Sequence, residues 1–244
     1  PEDAVAYRWK LPAARKAKLK DYKIGYVLTD PFCPVHPDIQ AVMARTVDTL
    51  GREGVEMQEG WPNGISFGDV FETYFKLMAA YVSQSPLFTD AFIDAMKTLY
   101  DLPFGETQRQ YVEGLTLSHK AWGALGVKRL LSRQAWHTYF ETFDAFLMPA
   151  NCIPAFAHNH GRNLWGRVLE SSDRPRYYVE TFKWISPATL AGLPVTLIPA
   201  GKTPDNLPVG LQIMGPFLED GTTLDLACKL EDLLGGFTAP PGLD

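Results

Sequence analysis

Histidine, cysteine and serine are the residue types in this chain that could bind a metal ion or attack a substrate. The closest histidines, His158 and His160, are separated by one residue, a spacing that could place both imidazoles on one metal ion. A protein zinc site needs three or four protein ligands, and no Asp, Glu or Cys cluster near the pair provides the others. The pair therefore indicates a polar loop, and we expect neither a metal nor a cofactor.

The three cysteines, Cys33, Cys152 and Cys228, lie far apart and show no CxxC or CxxH spacing. An odd and sparse set argues against a secreted disulfide framework and against structural zinc. It is typical of buried free thiols in a reducing cytosol. We therefore expect a cytoplasmic protein.

Hydrolysis by a serine enzyme requires a nucleophile, a base and groups that stabilise an oxyanion. We interpret Ser66 as a helix cap, and Ser171 and Ser172, which precede Asp173, as part of a turn. No serine is assigned as a nucleophile on this basis. Spacing alone supports no catalytic centre in this chain.

Charge and composition argue against several classes of function. The formal net charge of −5 gives no electrostatic reason to expect nucleic acid as a partner. No stretch approaches the 18 or more apolar residues of a membrane span, and no signal peptide is visible at the start. With 244 residues, 46% of them hydrophobic, the chain can bury a sizeable core without disulfides or metals.

The elements that would position a site begin with a strand, a helix and a second strand. Residues 24–28 form a short apolar run typical of a buried strand, and residues 54–59 are consistent with a second strand. Between them, a helix ending at Gly51 is predicted by one apolar face: Ile39, Val42, Met43, Val47 and Leu50. This pattern predicts a parallel βαβ unit with a right-handed crossover. Its first turn, residues 29–31, lacks GxGxxG, so we expect no dinucleotide site.

Residues 66–142 are predicted to be mainly helical. An apolar stripe after Ser66 predicts a first helix: Phe67, Val70, Phe71, Tyr74, Phe75, Met78, Tyr81 and Val82. A second helix starting near Thr89 is expected to bury four residues: Phe92, Ile93, Met96 and Leu99. Another helical stretch follows Asp101-Leu102-Pro103, and we expect Gly123 and Gly126 to divide it.

Strands return after the helical block. The predicted strands are residues 145–148, 195–199 and 209–214, and a turn-rich connector at 200–206 separates the last two. A final helix is expected to start at Asp220 as its N-cap and to stop at Gly235 and Gly236. Helices and strands mixed in this way indicate a layered α/β domain with an inserted helical block.

The most specific motifs lie near the end of the chain, where LAGLPVTLIPAG at 190–201 is followed by LPVGLQIMG at 207–215. These blocks resemble the closing region of amidase signature enzymes, in which an AGxPAxxxPxG run leads to a GLPVGLQIxG strand. Three further segments resemble the family in the right order: KIGYV at 23–27, FDAFLMPA at 143–150 and the helix at 220–231. The resemblance spans nearly the whole chain.

The resemblance implies an α/β/α sandwich around a mixed sheet, and amide hydrolysis through a seryl acyl-enzyme. The family's Lys-Ser-Ser triad lies in a Gly/Ser-rich signature in the half that precedes the residues seen here, and nothing like GGSSGG occurs in this chain. No catalytic residue is therefore assigned, and this segment alone is expected to be inactive. Residues 1–23, rich in Lys and Arg, are expected to be a linker from a missing N-terminal half, and 24–244 the C-terminal part of the amidase domain.

The resemblance also implies that this half forms part of the substrate pocket. The candidate wall residues are Cys152, Ile153, Pro154, Phe156, Trp184, Ser186 and Thr189. An apolar, aromatic wall could bind an acyl or aryl group and exclude water. Thr189 occupies the position, three residues before Gly192, at which the family commonly has Asn. The resemblance therefore implies that a polar contact close to the active site differs in this chain.

The expected partners are a small-molecule amide and the N-terminal half of the same enzyme, and a homo-oligomer stays open. A rival interpretation is a non-catalytic binding or assembly module paired with a partner chain. A free-standing nucleotide-binding domain is disfavoured because the phosphate loop is missing. A truncated half would leave sheet edges and apolar helix faces uncovered, so the isolated chain is expected to associate.

Overall fold

The computed structural model describes residues 6, 8, 10–98, 105–161 and 164–239. The α-helices in this part of the chain are α1 (Pro37–Arg52), α2 (Phe67–Val82), α3 (Asp90–Lys97), α4 (Gly105–Leu115), α5 (His119–Phe140), α6 (Ser186–Ala191) and α7 (Asp220–Leu234). The strands are β1 (Lys23–Tyr26), β2 (Glu56–Glu59), β3 (Ala145–Pro149), β4 (Val168–Leu169), β5 (Arg176–Tyr177), β6 (Val195–Lys202) and β7 (Pro208–Met214).

Five strands form a mixed sheet in the order β2-β1-β3-β7-β6, and β4 pairs with β5 separately. Strand β1 runs parallel to both β2 and β3, with Ile24 opposite Met57 on one side and Ala145 on the other. The predicted parallel pairing of the first two strands is therefore confirmed. Strand β7 runs antiparallel to β3 and β6, so the sheet is mixed, as the resemblance implied.

Helices cover both faces of this sheet. Strand β3 is apolar throughout and every one of its residues is buried, as expected for a central strand covered on both sides. Helices α1 and α7 contact β6 and β7 on one face. On the other face, Phe146 packs against Trp136 and Tyr139 of α5, with ring centroids 5.1 and 5.8 Å apart.

Helix α1 buries four of the five residues of its predicted apolar face, whereas Val47 is only half-buried and Thr46 is buried beside it. Its buried residues are Ile39, Val42, Met43, Thr46 and Leu50. His36 caps the helix by accepting a hydrogen bond on Nδ1 from the backbone N–H of Asp38 at 3.2 Å. The helix ends at Arg52, one residue beyond the predicted stop, because Gly51 still adopts helical geometry.

The helical block builds a second core beside the sheet. Its buried members are Phe71, Phe75, Ala79, Ile93, Met96, Val112, Leu115, Trp165 and Val179. The first two come from the predicted stripe of α2, but Tyr81 of that stripe is 77% exposed. Phe92 of α3 was also expected to be buried and is 47% exposed, because Ile93 and Met96 alone turn inward. Leu99 and residues 101–103 lie outside the described residues.

The expected division at Gly123 and Gly126 is wrong, since α5 runs unbroken through both positions. A glycine in a helix interior costs only about 0.5–1 kcal/mol relative to alanine, which packing elsewhere can offset. The actual break lies before Ser118, whose Oγ accepts a hydrogen bond from the Ala121 N–H at 3.2 Å and starts α5.

Several predicted ends in the last third of the chain differ from the structure. Strand β6 continues through residues 200–202, which were assigned to a connector, and accommodates them with an irregularity between Pro199 and Gly201. Glu219, and not Asp220, occupies the N-cap of α7. Neither Glu219 nor Ser66, at the N-cap of α2, makes a side-chain capping bond. The predicted stop is confirmed, because Gly235 ends α7 with φ of 90°.

Arg15 fastens the segment before β1 to the rest of the molecule. Its Nε and Nη2 donate to the two carboxylate oxygens of Glu219 at 2.6 and 2.7 Å, and its Nη1 donates to the Phe140 carbonyl. The role of residues 1–23 as a linker from another half stays a prediction. Within the described residues, no helix combines the length and apolar character that crossing a membrane requires.

Candidate functional site

The loop after β3 lies beside a small cavity. Ile153 and Pro154 line this space of about 140 Å³ together with His36, Ser172 and Thr203. The loop is held at its start, where the backbone N–H of His36 donates to the Cys152 carbonyl at 2.8 Å. Two of the seven candidate wall residues therefore border a cavity in this chain.

His36, Ser172 and Asp38 resemble a hydrolytic triad in this cavity. His36 Nε2 lies 2.8 Å from Ser172 Oγ, and its Nδ1 lies 3.7 Å from an Asp38 carboxylate oxygen. Nδ1, however, accepts the capping bond from the Asp38 backbone N–H. A neutral imidazole has one donor and one acceptor, so Nε2 carries the proton and donates to Ser172. In that tautomer His36 cannot take a proton from Ser172, and the cluster is a helix cap.

Three other wall candidates lie in the interior behind the loop. Cys152, Trp184 and Ser186 are fully buried. The indole N–H of Trp184 donates to the Cys33 carbonyl at 3.2 Å. Gln212 joins two backbone segments here, because its side-chain amide donates to the Pro149 carbonyl at 2.6 Å and the Trp184 carbonyl at 3.1 Å. These bonds hold the loop after β3 against the start of α6.

The thiols of Cys33 and Cys152 meet in this interior. Their mutual hydrogen bond, followed by burial, raises the pKa of Cys152 above the ordinary range of a thiol. A protonated, buried thiol is a poor nucleophile. Cys152 therefore acts here as a packed core residue with a thiol hydrogen bond.

Local hydrogen bonds also occupy the hydroxyl groups of α6. Ser186 Oγ donates to the Lys183 carbonyl at 2.7 Å, and Thr189 Oγ1 donates to the Ile185 carbonyl at 2.8 Å. Ser186 is enclosed, whereas Thr189 lies on the surface one helical turn later. Phe156, 37% exposed, lies with its ring 6.4 Å from that of Tyr178.

The structure thus divides the seven predicted wall residues into three groups. Cys152, Trp184 and Ser186 form a buried backing. Ile153 and Pro154 border the small cavity, and Phe156 and Thr189 are on the surface. Their role in substrate binding stays a prediction.

Arg176 anchors the segment on the far side of the cavity. It is fully buried and pairs with Asp173 and, at 3.8 Å, with Glu180. Burial opposes ionisation of Asp173, but hydrogen bonds from Arg176 and Ser171 outweigh it and lower the pKa of that carboxyl to about 2. This ion cluster fixes the turn that carries Ser172.

The sequence contains a motif that the interpretation of Ser66 as a helix cap missed. Residues 64–68 read Gly-Ile-Ser-Phe-Gly, which is the G-x-S-x-G spacing of a nucleophile elbow. Such an elbow joins a strand to a helix and presents a strained serine. Here a turn precedes α2, and Ser66 has ordinary extended geometry with φ of −112°. Its neighbours Lys128 and Ser132 line the same shallow space of about 270 Å³. The structure does not show the context that a nucleophile elbow requires.

A cavity of about 500 Å³ lies between α5 and the start of α7. Its charged lining is largely paired: Arg15 bonds to Glu219, and Arg133 lies over the Phe217 ring at 4.4 Å. His137 and Glu141 at its rim are 3.9 Å apart. Among the described residues, no group of three or more His, Cys, Asp or Glu side chains converges on one point. The rings of His158 and His160 lie 5.8 Å apart.

The family model described as Amidase matches residues 3–224, and the chain belongs to this family. The predicted resemblance is therefore confirmed. A curated relative, a glutamyl-tRNA(Gln) amidotransferase subunit from Halothermothrix orenii, is 30% identical over 115 residues, which are 47% of this chain and 22% of the relative.

Two solved structures share the fold. The crystal structure of an amidase matches with a TM-score of 0.62 and 23% identity, over 93% of this chain and 48% of the other. The corresponding glutamyl-tRNA(Gln) amidotransferase subunit from Thermotoga maritima matches with a TM-score of 0.65 and 18% identity, over 94% and 46%. The predicted α/β fold with a mixed sheet is thus confirmed. The chain spans slightly less than half the length of these solved relatives.

Proposed function

We propose that this chain is part of an amide C–N hydrolase that acts through a seryl acyl-enzyme. The observation that carries the proposal is the amidase family match over residues 3–224. In the proposed reaction, a serine oxygen attacks the amide carbonyl and expels the amine, and water then releases the acid. The substrate is a small-molecule amide.

In this proposal the Lys-Ser-Ser triad, which includes the nucleophilic serine, lies outside this chain. Three features of the chain support this placement. The hydroxyl of Ser186 is buried and bonded to a backbone carbonyl, Ser172 faces a histidine with the wrong tautomer for a base, and Ser66 lacks a strand before it. The catalytic groups would then come from the part of the domain that this chain does not span.

This chain supplies scaffold and part of the substrate pocket. Trp184, Ser186 and Cys152 act as the rigid backing, because Gln212 ties the carbonyl of Trp184 to that of Pro149. Ile153, Pro154, Phe156 and Thr189 are the candidates for direct contact with the acyl or aryl group, since they border a cavity or the surface. An apolar wall of this kind excludes water from the acyl-enzyme.

The test is active-site labelling of the natural protein that contains this chain. A fluorophosphonate that traps activated serines is added, and the labelled peptide is sequenced, with and without competing amide substrate. We expect one labelled serine outside residues 1–244, protected by substrate and lost together with hydrolysis. Labelling of Ser66, Ser172 or Ser186 would contradict the placement of the nucleophile.

The rival function, a non-catalytic assembly module, predicts a different outcome. The natural protein would then show neither fluorophosphonate labelling nor release of acid from aliphatic and aryl amides. It would still bind its partner chain. Labelling, acid release and partner binding measured on the same samples therefore distinguish the two functions.

A further inference from the structure

Two cysteines of the sheet core lie in the loops that follow adjacent strands. Cys33 is in the loop after β1, and Cys152 is in the loop after β3. The two strands run parallel with Tyr26 opposite Leu147, so both loops leave the sheet at the same edge. The backbone N–H of His36 donates to the Cys152 carbonyl at 2.8 Å and joins the two loops directly. Cysteines far apart in the sequence are thus held side by side.

Further hydrogen bonds fix the backbone and the thiol of Cys33. Its N–H donates to the Asp30 carbonyl at 3.0 Å, and its carbonyl accepts from the Trp184 indole at 3.2 Å. Its Sγ donates to the Glu180 carbonyl at 3.9 Å. The Cys152 thiol in turn donates to the Cys33 sulfur. The two sulfurs are therefore in direct contact.

The surroundings make Cys33 the more reactive thiol of the two. The hydrogen bond from Cys152 is the largest effect, and it lowers the pKa of the Cys33 thiol. Burial opposes this shift, whereas the nearby positive charges of Lys183 and Arg176 add to it. A thiol with a lowered pKa is more often a thiolate, which is the form that attacks an oxidant. Cys33 is therefore the thiol that reacts first, and Cys152 is placed to react with the product.

We propose that Cys33 and Cys152 are an oxidative modification site at which hydrogen peroxide forms an intramolecular disulfide. The Cys33 thiolate attacks one oxygen of the peroxide, so an S–O bond forms, the O–O bond breaks, and the departing hydroxide takes up the proton that the thiol lost. The Cys152 sulfur then attacks the Cys33 sulfur, which forms the S–S bond and releases the sulfenic oxygen with the Cys152 proton as water. Two thiols lose two electrons and two protons, and one peroxide is reduced to two waters.

Oxidation of Cys33 also favours the second step. The raised pKa of Cys152 arises first from its hydrogen bond to Cys33, then from burial and from the negative charge of Cys33. Conversion of the Cys33 thiolate into an uncharged sulfenic acid removes the first and the third of these causes. The pKa of Cys152 therefore falls at the stage at which its thiolate is required.

Both thiols are fully buried, yet they lie directly beneath the surface. Phe32, which precedes Cys33, is 38% exposed. Ile153, which follows Cys152, borders the cavity of about 140 Å³. Hydrogen peroxide is a small neutral molecule, so a local opening of the loop after β1 is enough to admit it. Oxidation of the pair should therefore be slower than oxidation of an exposed thiol.

The disulfide would also act on the candidate pocket wall. Its S–S bond of about 2.05 Å is shorter than a thiol hydrogen bond by more than about 1 Å, so its formation draws the two loops together. Ile153 and Pro154 follow Cys152 directly and move with it. A displacement of about 1 Å in a segment that positions substrate can reduce catalysis by up to about 100-fold. This effect on the wall rests on the proposed function, whereas the disulfide itself does not.

Disulfide mapping of the natural protein that contains this chain tests the modification. The folded protein is treated with hydrogen peroxide, remaining thiols are alkylated, and the digest is analysed by mass spectrometry without reduction. We expect a peptide pair joined through Cys33 and Cys152, lighter by two hydrogen atoms than the reduced peptides, that dithiothreitol separates. The exposed thiol of Cys228 is the internal control and should oxidise first.

Two outcomes of the mapping would overturn the proposal. One is complete oxidation of Cys228 while Cys33 and Cys152 stay reduced during prolonged treatment. The other is sulfinic or sulfonic acid at Cys33 without a linked peptide, because a sulfenic acid in contact with a second thiol condenses with it instead.

Thermal melting gives an independent readout of the cross-link. The disulfide closes a loop of roughly 120 residues, so the melting temperature should rise by at least about 5 °C after peroxide and return with dithiothreitol. Cys33→Ser should lose both the linked peptide and the rise, whereas the matched control Cys228→Ser should keep both. A rise that persists in Cys33→Ser would contradict its assignment to this pair. If Cys33→Ser fails to fold, the mapping of the unaltered protein still decides.

Amide hydrolysis by the same samples separates this inference from the proposed function. The cross-linked protein should have a kcat/KM at least about 3-fold lower, restored by dithiothreitol, and Cys228→Ser should respond as the parent does. A cross-link with unchanged kcat/KM would overturn the effect on the wall. A cross-link in a protein that hydrolyses no amide would remove the proposed function and keep the modification site, and hydrolysis without a cross-link would do the reverse.

Discussion

Gln212→Leu should destabilise the protein although it removes no apolar contact. Gln212 is buried and donates to the Pro149 and Trp184 carbonyls at 2.6 and 3.1 Å. Leucine has a similar volume and no donor, so both carbonyls lose a partner in an environment without ready water. Each net hydrogen bond contributes about 0.5–1.5 kcal/mol, and an unpaired buried carbonyl costs about 1–3 kcal/mol. We therefore expect a loss of about 2–4 kcal/mol in the free energy of unfolding.

Urea denaturation followed by circular dichroism measures this loss. The midpoint should fall while the slope with urea stays constant, because the buried surface is nearly unchanged. Gln58→Leu, in the exposed strand β2, is the matched control and should change stability by less than about 0.5 kcal/mol. Equal stability of the Gln212→Leu variant and the parent protein would refute the role of this amide as the tie between β3 and α6.

Three further predictions address packing, pH dependence and the pocket wall. Gly25→Ala should destabilise by about 1–3 kcal/mol because a Cβ there meets the Tyr139 hydroxyl at 1.9 Å, and Tyr139→Phe in the same chain should restore much of the loss in thermal melts. Asp173→Asn should lower the melting temperature at pH 5–7 and match the parent only below pH 2. The pKa of Asp173 is lowered to about 2 in the folded protein, so its stabilisation is present above the ordinary pKa of 3.8 and is lost as the pH falls through 2. Equal loss at all pH values would contradict this assignment. In the natural protein that contains this chain, Phe156→Ala should reduce kcat/KM for aryl amides about 3–10-fold without changing the melting temperature, whereas Phe237→Ala, at a more exposed ring, should change neither. An unchanged kcat/KM would remove Phe156 from the pocket wall.

The elements with a strong apolar period were predictable from the sequence. The apolar stripe of α1 predicts which face of the helix is buried, and the continuous apolar run of β3 predicts a strand that is buried on both faces, because the spacing of apolar residues matches the period of each element. The same holds for the stop of α7 at Gly235, where the backbone needs positive φ. These patterns involve residues close together in the sequence, so they can be interpreted without knowledge of the tertiary structure.

The wrong predictions concern positions at which tertiary packing determines helix continuity or burial. Gly123 and Gly126 do not break α5, because the cost of glycine in a helix is smaller than the energy of packing Trp136 and Phe140 against the sheet. Phe92 is apolar and yet exposed, since only one side of the short helix α3 meets the second core. Such outcomes depend on partners distant in sequence.

The candidate site was predictable in outline only. The family blocks predicted the loop after β3 and the start of α6 as pocket walls, and their role in binding stays a prediction. They could not show that Gln212 joins these two segments, because its hydrogen bonds reach residues 63 and 28 positions away in the sequence. The contact of His36 with Ser172, 136 positions away, was equally invisible. The G-x-S-x-G spacing around Ser66 was present in the sequence and overlooked.

Native mass and amide hydrolysis, measured on the same chromatographic fraction of the natural protein, test the central claim most directly. The account predicts that hydrolysis follows a species of roughly twice the 27.2 kDa of this chain or a multiple of that mass, in which this chain and the rest of an amidase domain are both present. Release of acid from simple amides by a pure 27.2 kDa species without further sequence would contradict it.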